Sequence, residues 1–427
     1  MTRGARRLAG LLMAAVAGAA VGQDVRLSAF GTLGYAQSNR SWNYQRFIDD
    51  RGSLSRDSRL GVQLDAPLAP AWSFMMQALA SPAVDSDSRW DATLPWAFLA
   101  WRPDNNLLLR AGVLRLPLQL YSESHEVGTT YSFARLPVEV YSLTPTADMR
   151  GVSVSHSWLG EQGDLDLEGY VGHVDSSWRF YSRDGMPGGR DRGAVFVDIH
   201  GVYSGLILTA RQGDSRLRLG MHRGVVSRRG GAIVAGYPWV PAGGGLGYYQ
   251  VSNAQPGPGV PTVDHIVNYS LTAGAEVALP ADFMLIGEAA RRKVQDVTIG
   301  TDSWAAYLAL QRRIGAWTPY TYIARIRSSQ ASRRLYAAID GNRWPDALPG
   351  AALVNLSQRS GADGLGIYDQ QSVAVGTAYA LTPNQLLKAE WLHSRIGLAS
   401  DFVDTPTGER SGGRSVDVLS VSYSFVF

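Results

Sequence analysis

Hydrophobic and polar residues alternate along most of the chain, with apolar side chains at every second position. The clearest examples are the segments 58–66, 164–172, 215–222, 319–327 and 386–392. A period of two predicts β-strands that have one apolar face and one polar face. Because the pattern recurs from the first part of the chain to the last, we predict an all-β fold.

Short turns and long loops separate the predicted strands in strict alternation. The short turns are predicted at 67–71, 103–106, 160–164, 213–214, 280–282, 315–316 and 382–384. The long loops are predicted at 38–56, 82–92, 116–148, 176–195, 227–264, 294–302, 331–368 and 398–414. Seven turns and eight loops join about sixteen strands, an even number of the kind that bacterial membrane barrels contain.

Two all-β architectures produce this alternation: a soluble sandwich, and a barrel whose apolar face meets lipid. Aromatic residues lie beside many of the short turns, namely Trp72, Trp101, Trp158, Trp317 and Tyr379. Indole and phenol rings favour the interface of a bilayer, and predicted strands of about 10–12 residues suit a tilted membrane strand. We therefore predict a transmembrane antiparallel β-barrel of about sixteen strands, with long extracellular loops and short periplasmic turns.

The N-terminal segment predicts export. Basic residues precede an apolar stretch at 8–21, and small residues precede Gln23. This arrangement is typical of a secretory signal peptide, which we place at 1–22, and the barrel is expected over 23–427. The chain contains no cysteine, so disulfides do not stabilise the exported protein.

The C-terminal strand carries the most specific sequence signal. Its alternate residues are large and apolar, namely Leu419, Val421, Tyr423, Phe425 and Phe427. The pattern resembles the C-terminal signature of bacterial outer-membrane proteins. The resemblance implies recognition by the barrel-assembly machinery, with outer-membrane lipid and lipopolysaccharide as further partners.

Two stretches resemble bacterial porins of the general and phosphate-selective (DcaP-like) type. The first is "VRLSAFGTLGYAQ", and the second begins "LLLRAGVLRLPLQLY" and continues to residue 142. In such porins the fifth strand ends in a Gly-x-x-x-x-Pro stretch, matched here by Gly112 and Pro117. The third loop then folds inward and narrows the channel, which makes 116–148 the candidate constriction loop. The resemblance implies a homotrimer, but the loop has no lysine, which counts against phosphate selectivity.

Charged residues in this loop and on the strands define the candidate pore. The loop contributes Glu123, His125, Glu126, Arg135, Glu139 and Asp148. The predicted inward-facing cations are Arg59, Arg110, Arg216, Arg218, Arg325, Arg327 and Lys388. The inward placement of two of these arginines follows from assigning Tyr320 and Tyr322 to the lipid face.

Acids facing arginines across a channel create a transverse field, and a barrel of sixteen strands leaves a water-filled lumen. The alternative is that these charges only pair and fill space. We predict a porin for passive diffusion of small hydrophilic solutes, with a preference for anions and no cofactor.

Other functions have less support in the sequence. The chain lacks Gly-x-Ser-x-Gly and His-Glu-x-x-His, and its glycine-rich stretches lie in a predicted loop. His156 and His173 fall on adjacent predicted strands, but two histidines alone make a weak metal site. An outer-membrane hydrolase and a non-conducting adhesin or assembly barrel remain as alternatives, and we expect no nucleic-acid partner.

Overall fold

The computed structural model describes residues 25–143, 148–189, 191–300, 302–410 and 412–427. The predicted signal peptide at 1–22 lies outside these ranges. The strands are β1 (Arg26–Ser38), β2 (Arg59–Ala69), β3 (Trp72–Pro82), β4 (Trp90–Trp101), β5 (Leu107–Arg115), β6 (Asp148–Gly160), β7 (Gly163–Ser182), β8 (Gly193–Gln212), β9 (Ser215–Arg228), β10 (Ile233–Val234), β11 (Trp239–Gly243), β12 (Leu246–Tyr249), β13 (Thr262–Val263), β14 (Ile266–Leu279), β15 (Phe283–Gln295), β16 (Ser303–Arg312), β17 (Trp317–Ser328), β18 (Tyr368–Thr382), β19 (Gln385–Ser400) and β20 (Arg414–Val426). The helices are α1 (Val138–Tyr141), α2 (Gln330–Gly341) and α3 (Ala351–Asp363), with a 3₁₀ turn at Gly128–Thr130.

Sixteen of these strands form one closed antiparallel barrel in the order β1 to β9 followed by β14 to β20. The barrel closes where β20 pairs with β1, and Phe30 lies opposite Val426 in this register. Two backbone hydrogen bonds of 2.7 and 2.9 Å join Phe427 to Ala29 at this seam. The predicted strand number, turns and closure are confirmed.

The outer wall of the barrel is apolar and has an aromatic border near the short turns. Leu219 and Leu271, for example, are exposed on outward positions of β9 and β14. Near the turns, Trp72 packs on Trp101 with ring centroids 6.0 Å apart. An exposed outer face of this composition is stable only in hydrocarbon, with the aromatic rings at its interface with water.

The inward and outward faces of strand β17 are reversed relative to the prediction. Tyr320 and Tyr322 are buried inside the barrel, whereas Ile323 is 59% exposed on the outer wall. Arg325 and Arg327 share the parity of Ile323, so the prediction that they face inward is wrong. The physical reason is that the two tyrosines pack against an apolar part of the constriction loop, which the strand sequence alone does not reveal.

Two long loops contain structure that the sequence did not predict. The loop between β17 and β18 contains α2 and α3, and the loop between β9 and β14 contains two short hairpins, β10 with β13 and β11 with β12. These loops contact each other, since the Trp344 indole and the Asn342 amide both donate to the Gly247 carbonyl, at 2.9 and 3.0 Å. None of the helices in the described ranges is long and apolar enough to cross a bilayer.

Candidate functional site

Residues 116–143 lie inside the barrel, and we call them the constriction loop after the role predicted for 116–148. Residues 144–147 of that range lie outside the described residues, and Asp148 begins β6. The start of the constriction loop depends on Gly112 in β5, where φ is +140° and a Cβ would lie 2.3 Å from the Ala97 carbonyl oxygen. Strand β5 ends at Arg115, and Arg218 of β9 donates to the Pro117 carbonyl at 2.8 Å, which draws the chain along the inner wall.

An aromatic cluster fixes the middle of the constriction loop to the inner wall. The Phe133 ring is fully buried and meets Tyr307, Tyr320 and Tyr322 edge-on, with centroid distances of 6.2, 5.1 and 5.8 Å. The Tyr320 hydroxyl also accepts from the Ala134 backbone N–H at 2.8 Å. Aromatic pairs in this geometry contribute roughly 0.5–1.5 kcal/mol each beyond their burial.

Glu288 of β15 joins both ends of the loop to the wall. Its carboxylate accepts from the Leu120 backbone N–H at 2.7 Å and from the Tyr141 hydroxyl at 2.6 Å. The Tyr307 hydroxyl donates to the same carboxylate at 2.8 Å. One buried acid therefore holds two loop positions that are far apart in the sequence.

Lys388 faces inward on β19, but the loop covers it and leaves the residue 3% exposed. Its ammonium group donates to the carbonyls of Gly128 and Phe133 at 2.5 and 2.9 Å. It also lies 4.2 Å from the centroid of the Tyr131 ring. Lys388 therefore anchors the loop and does not line open water.

Ion pairs hold the side of the loop that faces β2. Arg135 binds Asp57 through two contacts of 2.8 and 2.5 Å, and both side chains are buried. Glu126 binds Arg59 at 2.6 Å and Arg115 at 3.2 Å. Burial alone would raise the pKa of Asp57 and of Glu126, but the adjacent arginines outweigh it and lower both, Glu126 most strongly.

The last acids of the predicted loop also have partners. Glu139 in α1 is 1% exposed and accepts from the Gln370 amide at 2.9 Å and from the Ser372 hydroxyl. Burial raises the pKa of Glu139 above its ordinary value, and these hydrogen bonds only partly offset that rise. Asp148, at the start of β6, lies 3.3 Å from Arg115.

A group of inward-facing side chains remains partly exposed within the barrel. Arg110 of β5 lies between two acids, 3.1 Å from Glu123 of the loop and 2.5 Å from Glu168 of β7. The Glu123 and His125 side chains keep 34% and 36% exposure. Loop and wall thus meet at a polar, partly exposed surface.

A second mixed pair continues this polar surface toward β14. Arg216 of β9 binds Glu276 at 2.8 Å, and the Tyr121 hydroxyl of the loop donates to the same carboxylate. Arg216 and Glu276 keep 25% and 19% side-chain exposure. Together with the first group, they provide a solvated lining in which both charge signs lie within a few ångströms.

The structure brings four of the predicted inward cations to this loop through direct bonds to its residues: Arg59, Arg110, Arg218 and Lys388. Arg216 faces the loop beside Tyr121, whose ring centroid lies 5.8 Å from the guanidinium carbon. Arg325 and Arg327 lie on the outer wall. The acids Glu276 and Glu288 were missed, although each stands at an inward position of an alternating strand, and that parity was a usable signal.

The two histidines considered for a metal site are not close together. His156 pairs across the sheet with Leu167 and packs against Trp158, with ring centroids 4.6 Å apart, whereas His173 pairs with Arg150 further along the strands. Across the described ranges, no cluster of three or more His, Cys, Asp or Glu side chains could hold a metal ion.

Two arginines of the β7–β8 hairpin reach across the extracellular mouth. Arg179 binds Asp87 at 2.7 Å and Asp404 at 2.8 Å, and these acids belong to the loops after β3 and β19. In the order of the sixteen barrel strands, β7 is the seventh and β19 is the fifteenth. The Arg179–Asp404 contact therefore joins elements from nearly opposite sides of the barrel.

The second arginine, Arg183, ties the same hairpin to the helical loop. Its side chain is 2% exposed, lies 2.9 Å from Asp363 in α3, and donates to Asp340 in α2. Burial raises the pKa of Asp363 to about 7 despite Arg183, and it raises the pKa of nearby Asp401 to about 7 as well. Arg183 also donates to the Glu409 carbonyl at 3.0 Å, so the loops after β7, β17 and β19 meet at this mouth, and we call this group of loops the cap. The cap contains two carboxyl groups, Asp363 and Asp401, whose pKa is raised to about 7.

No protein-family model matches the chain, and no curated protein sequence matches it. Among solved structures, the barrel is similar to OprB of Pseudomonas putida, with a TM-score of 0.51, 9% identity and 94% of each chain covered. It is also similar to OmpT, an outer-membrane protein of Vibrio cholerae, with a TM-score of 0.50, 11% identity, and 95% of this chain and 99% of that chain covered. The channel DcaP of Acinetobacter baumannii gives a TM-score of 0.48 at 10% identity, covering 94% of this chain and 97% of that one.

The barrel has the fold of sixteen-stranded bacterial outer-membrane porins. In outer-membrane barrels of this kind the short turns face the periplasm and the long loops face outside.

Proposed function

We propose that this protein is a porin through which small hydrophilic solutes diffuse passively. The observation that carries the proposal is the constriction loop inside the barrel. Buried contacts anchor it to β15 and β19, and its Glu123 and His125 side chains stay partly exposed, with Glu123 3.1 Å from Arg110 of β5. A polar surface with fixed charges of both signs suits hydrated solutes that do not bind tightly.

Single-channel recording in planar bilayers tests this function. We expect stable ohmic conductance from purified, folded protein, and uptake of small sugars in a liposome-swelling assay. Folded protein that neither conducts nor admits sugars would exclude a porin and favour the hydrolase alternative or the adhesin or assembly alternative.

The preference for anions predicted from the arginines remains a prediction, and the ion pairs favour only a weak one. Arg110 has two acidic neighbours, Glu123 and Glu168, so its removal should leave net negative charge in the lumen. We expect Arg110→Ala to shift the reversal potential in a salt gradient toward cations. Arg325→Ala is the matched control and should leave the reversal potential unchanged, because Arg325 lies outside the barrel.

We also propose a homotrimer, as the porin resemblance implies. Native mass spectrometry of the detergent-solubilised protein measures the number of chains directly. A monomeric mass under conditions that preserve conductance would contradict the trimer without affecting the proposed channel.

A further inference from the structure

The β7–β8 hairpin extends beyond the wall of the barrel. Strand β7 pairs with β6 only as far as His173, and β8 pairs with β9 only from Ile199 onward. Further out, 174–182 of β7 and 193–198 of β8 are in register only with each other, and we call this part the ribbon. At about 3.3 Å per residue, 174–182 span roughly 26–30 Å. A two-stranded hairpin of this kind is only marginally stable unless other elements hold it.

Two glycines lie where the ribbon leaves the wall. Gly172 of β7 and Gly201 of β8 are both buried, and each lies close to the backbone of the next strand. A Cβ at Gly172 would lie 2.8 Å from the Arg150 carbonyl oxygen, and one at Gly201 would lie 2.6 Å from the Val225 carbonyl oxygen. Glycines in such places permit a sharp bend of the sheet. The base of the ribbon can therefore turn the hairpin over the mouth of the barrel.

The outer part of the ribbon lies outside the apolar core. Three buried apolar clusters lie in the described part of the chain, and none of them includes a side chain from 179–182 or 193–198. Trp178, by contrast, packs against the cluster that contains Val174 and Ile199. The position of the outer part therefore depends on polar contacts with the loops that it reaches.

Two arginines make these polar contacts. Arg179 joins the ribbon to the loops after β3 and β19 through Asp87 and Asp404. Arg183, at the end of the ribbon, joins it to α2 and α3 through one aspartate in each helix. The Arg183 backbone N–H also donates to the carboxylate of the α3 aspartate at 3.0 Å. Each arginine thus ties the ribbon to two elements that lie beyond its own strands.

These contacts are shielded from solvent. The Arg183 and Asp404 side chains are 2% and 4% exposed. Next to them, the Thr407 hydroxyl donates to the Arg183 carbonyl at 3.0 Å, and the Asp184 carboxylate accepts from the Gly408 N–H at 2.7 Å. A buried ion pair that loses one partner is strongly destabilised, so these contacts form and release together.

We infer that the ribbon is a lid, that Arg179 and Arg183 hold it across the extracellular mouth, and that its release admits larger solutes. This inference rests on the proposed channel function and adds a restriction that is separate from the constriction loop. The hinge lies at Gly172 and Gly201, and the moving part carries both arginines. The size of the solutes that enter therefore depends on these two arginines as well as on the loop inside the barrel.

Liposome swelling with a monosaccharide and a trisaccharide tests the lid. We expect Arg179→Gln with Arg183→Gln to admit the trisaccharide about tenfold faster than the parent, because four carboxylates lose a partner, and to change monosaccharide entry little. The matched control, Arg150→Gln with Arg229→Gln, removes two arginines that bind Asp175 at the exposed base of the ribbon and should leave both rates unchanged. Heat-modifiable gel mobility shows that both variants are folded. A lid variant that admits both sugars at the parent's rates would overturn the inference.

A cross-link distinguishes movement of the lid from unfolding of the mouth. The Arg192 guanidinium donates to the Thr407 hydroxyl at 3.0 Å, and the chain has no cysteine of its own. Arg192→Cys with Thr407→Cys therefore lets a cleavable bismaleimide join the hairpin to the loop after β19. In the background of Arg179→Gln with Arg183→Gln, this cross-link should restore slow entry of the trisaccharide, and cleavage should reverse it. Fast entry through the cross-linked protein would count against a lid.

A distance measurement tests the lid without using transport. Spin labels on Asp191→Cys, an exposed position of the hairpin, and on Leu353→Cys, an exposed position of α3, report the separation of the lid from the helical loop. We expect one narrow distance distribution in the parent and a longer, broader one in Arg179→Gln with Arg183→Gln. Identical distributions would refute the lid. If no form of the protein admits the monosaccharide, the proposed channel fails, while the distances still decide whether the ribbon moves.

Discussion

The buried ion pair between Arg135 and Asp57 allows a quantitative test of how the constriction loop is held. Both side chains are about 93% buried, and two contacts of 2.8 and 2.5 Å join them. Arg135→Ala leaves the Asp57 carboxylate buried without its main partner, and breaking such a pair typically costs about 3–5 kcal/mol. At about 1.4 kcal/mol per factor of ten, this predicts a rise of roughly 100-fold to 4,000-fold in the population of released loop.

Cysteine labelling measures this population, because the chain has no cysteine of its own. Ser142→Cys is a suitable reporter, since the Ser142 hydroxyl is buried and has no hydrogen-bond partner in the described part of the chain. We expect Arg135→Ala to raise the rate of thiol labelling at position 142 by about 100-fold or more.

Two controls accompany the measurement. Arg313→Ala removes an exposed cation at a periplasmic turn and should leave the labelling rate unchanged. The double variant Arg135→Ala with Asp57→Ala removes both charges and should label more slowly than the single variant. If Arg135→Ala labels within threefold of the parent, the ion pair does not determine where the loop lies.

Three further predictions concern other anchors of the structure. Lys388→Met removes two hydrogen bonds from a charged donor, a loss of about 3–6 kcal/mol, and should give larger and noisier single-channel currents; identical traces would contradict its anchoring role. Because the pKa of Asp363 is raised to about 7 in the folded cap, from about 4 when the group is hydrated, protonated Asp363 stabilises the cap, and this stabilisation is greatest below pH 4 and is lost as the pH rises through 7. Trypsin should therefore cut the cap loops faster at pH 8 than at pH 5 when each rate is divided by the rate on an unstructured peptide at the same pH, and Asp363→Asn should reduce this difference. Phe427→Ala removes the terminal ring of the predicted assembly signal and should slow the appearance of the heat-modifiable barrel in membranes, whereas Val426→Ala at the adjacent inward position should have a smaller effect.

The fold could be predicted from the sequence because lipid imposes one rule on every strand. Outward side chains must be apolar, and turns must recur at intervals set by the thickness of the bilayer. The alternation of apolar and polar residues and the positions of turn residues are therefore enough to predict the strands. The positions of the turns and the exposed aromatic rings beside them follow from local sequence alone. The same rule explains why the inward face of most strands was assigned correctly from the charged residues on it.

Strand β17 shows where this reasoning fails. Its two faces carry tyrosines on one side and arginines on the other, and the rule assigns the tyrosines to lipid. In the structure Tyr320 and Tyr322 instead cover Phe133 of the constriction loop, and the arginines face the outer rim. The inner face of the barrel is also apolar where the constriction loop packs against it. This contact is between residues far apart in the chain, so the sequence of the strand alone does not reveal it.

Several residues of the candidate site could be predicted from the sequence, but the ion pairs that they form could not. The loop and the inward positions of Arg59, Arg110 and Arg216 follow from resemblance and parity. Their acidic partners come from elements far apart in the sequence, such as Glu168 and Glu276, so only the closed barrel shows that each charge is balanced.

The contact between Arg179 and Asp404 has a mechanical consequence. A thin cylindrical wall deforms most easily by becoming oval, since that motion bends the sheet without stretching any hydrogen bond along its rows. The Arg179–Asp404 contact resists this deformation, because flattening the barrel along the line of the contact compresses it and flattening at right angles to that line stretches it. The extracellular end should therefore stay rounder than the periplasmic end, where short turns join only adjacent strands.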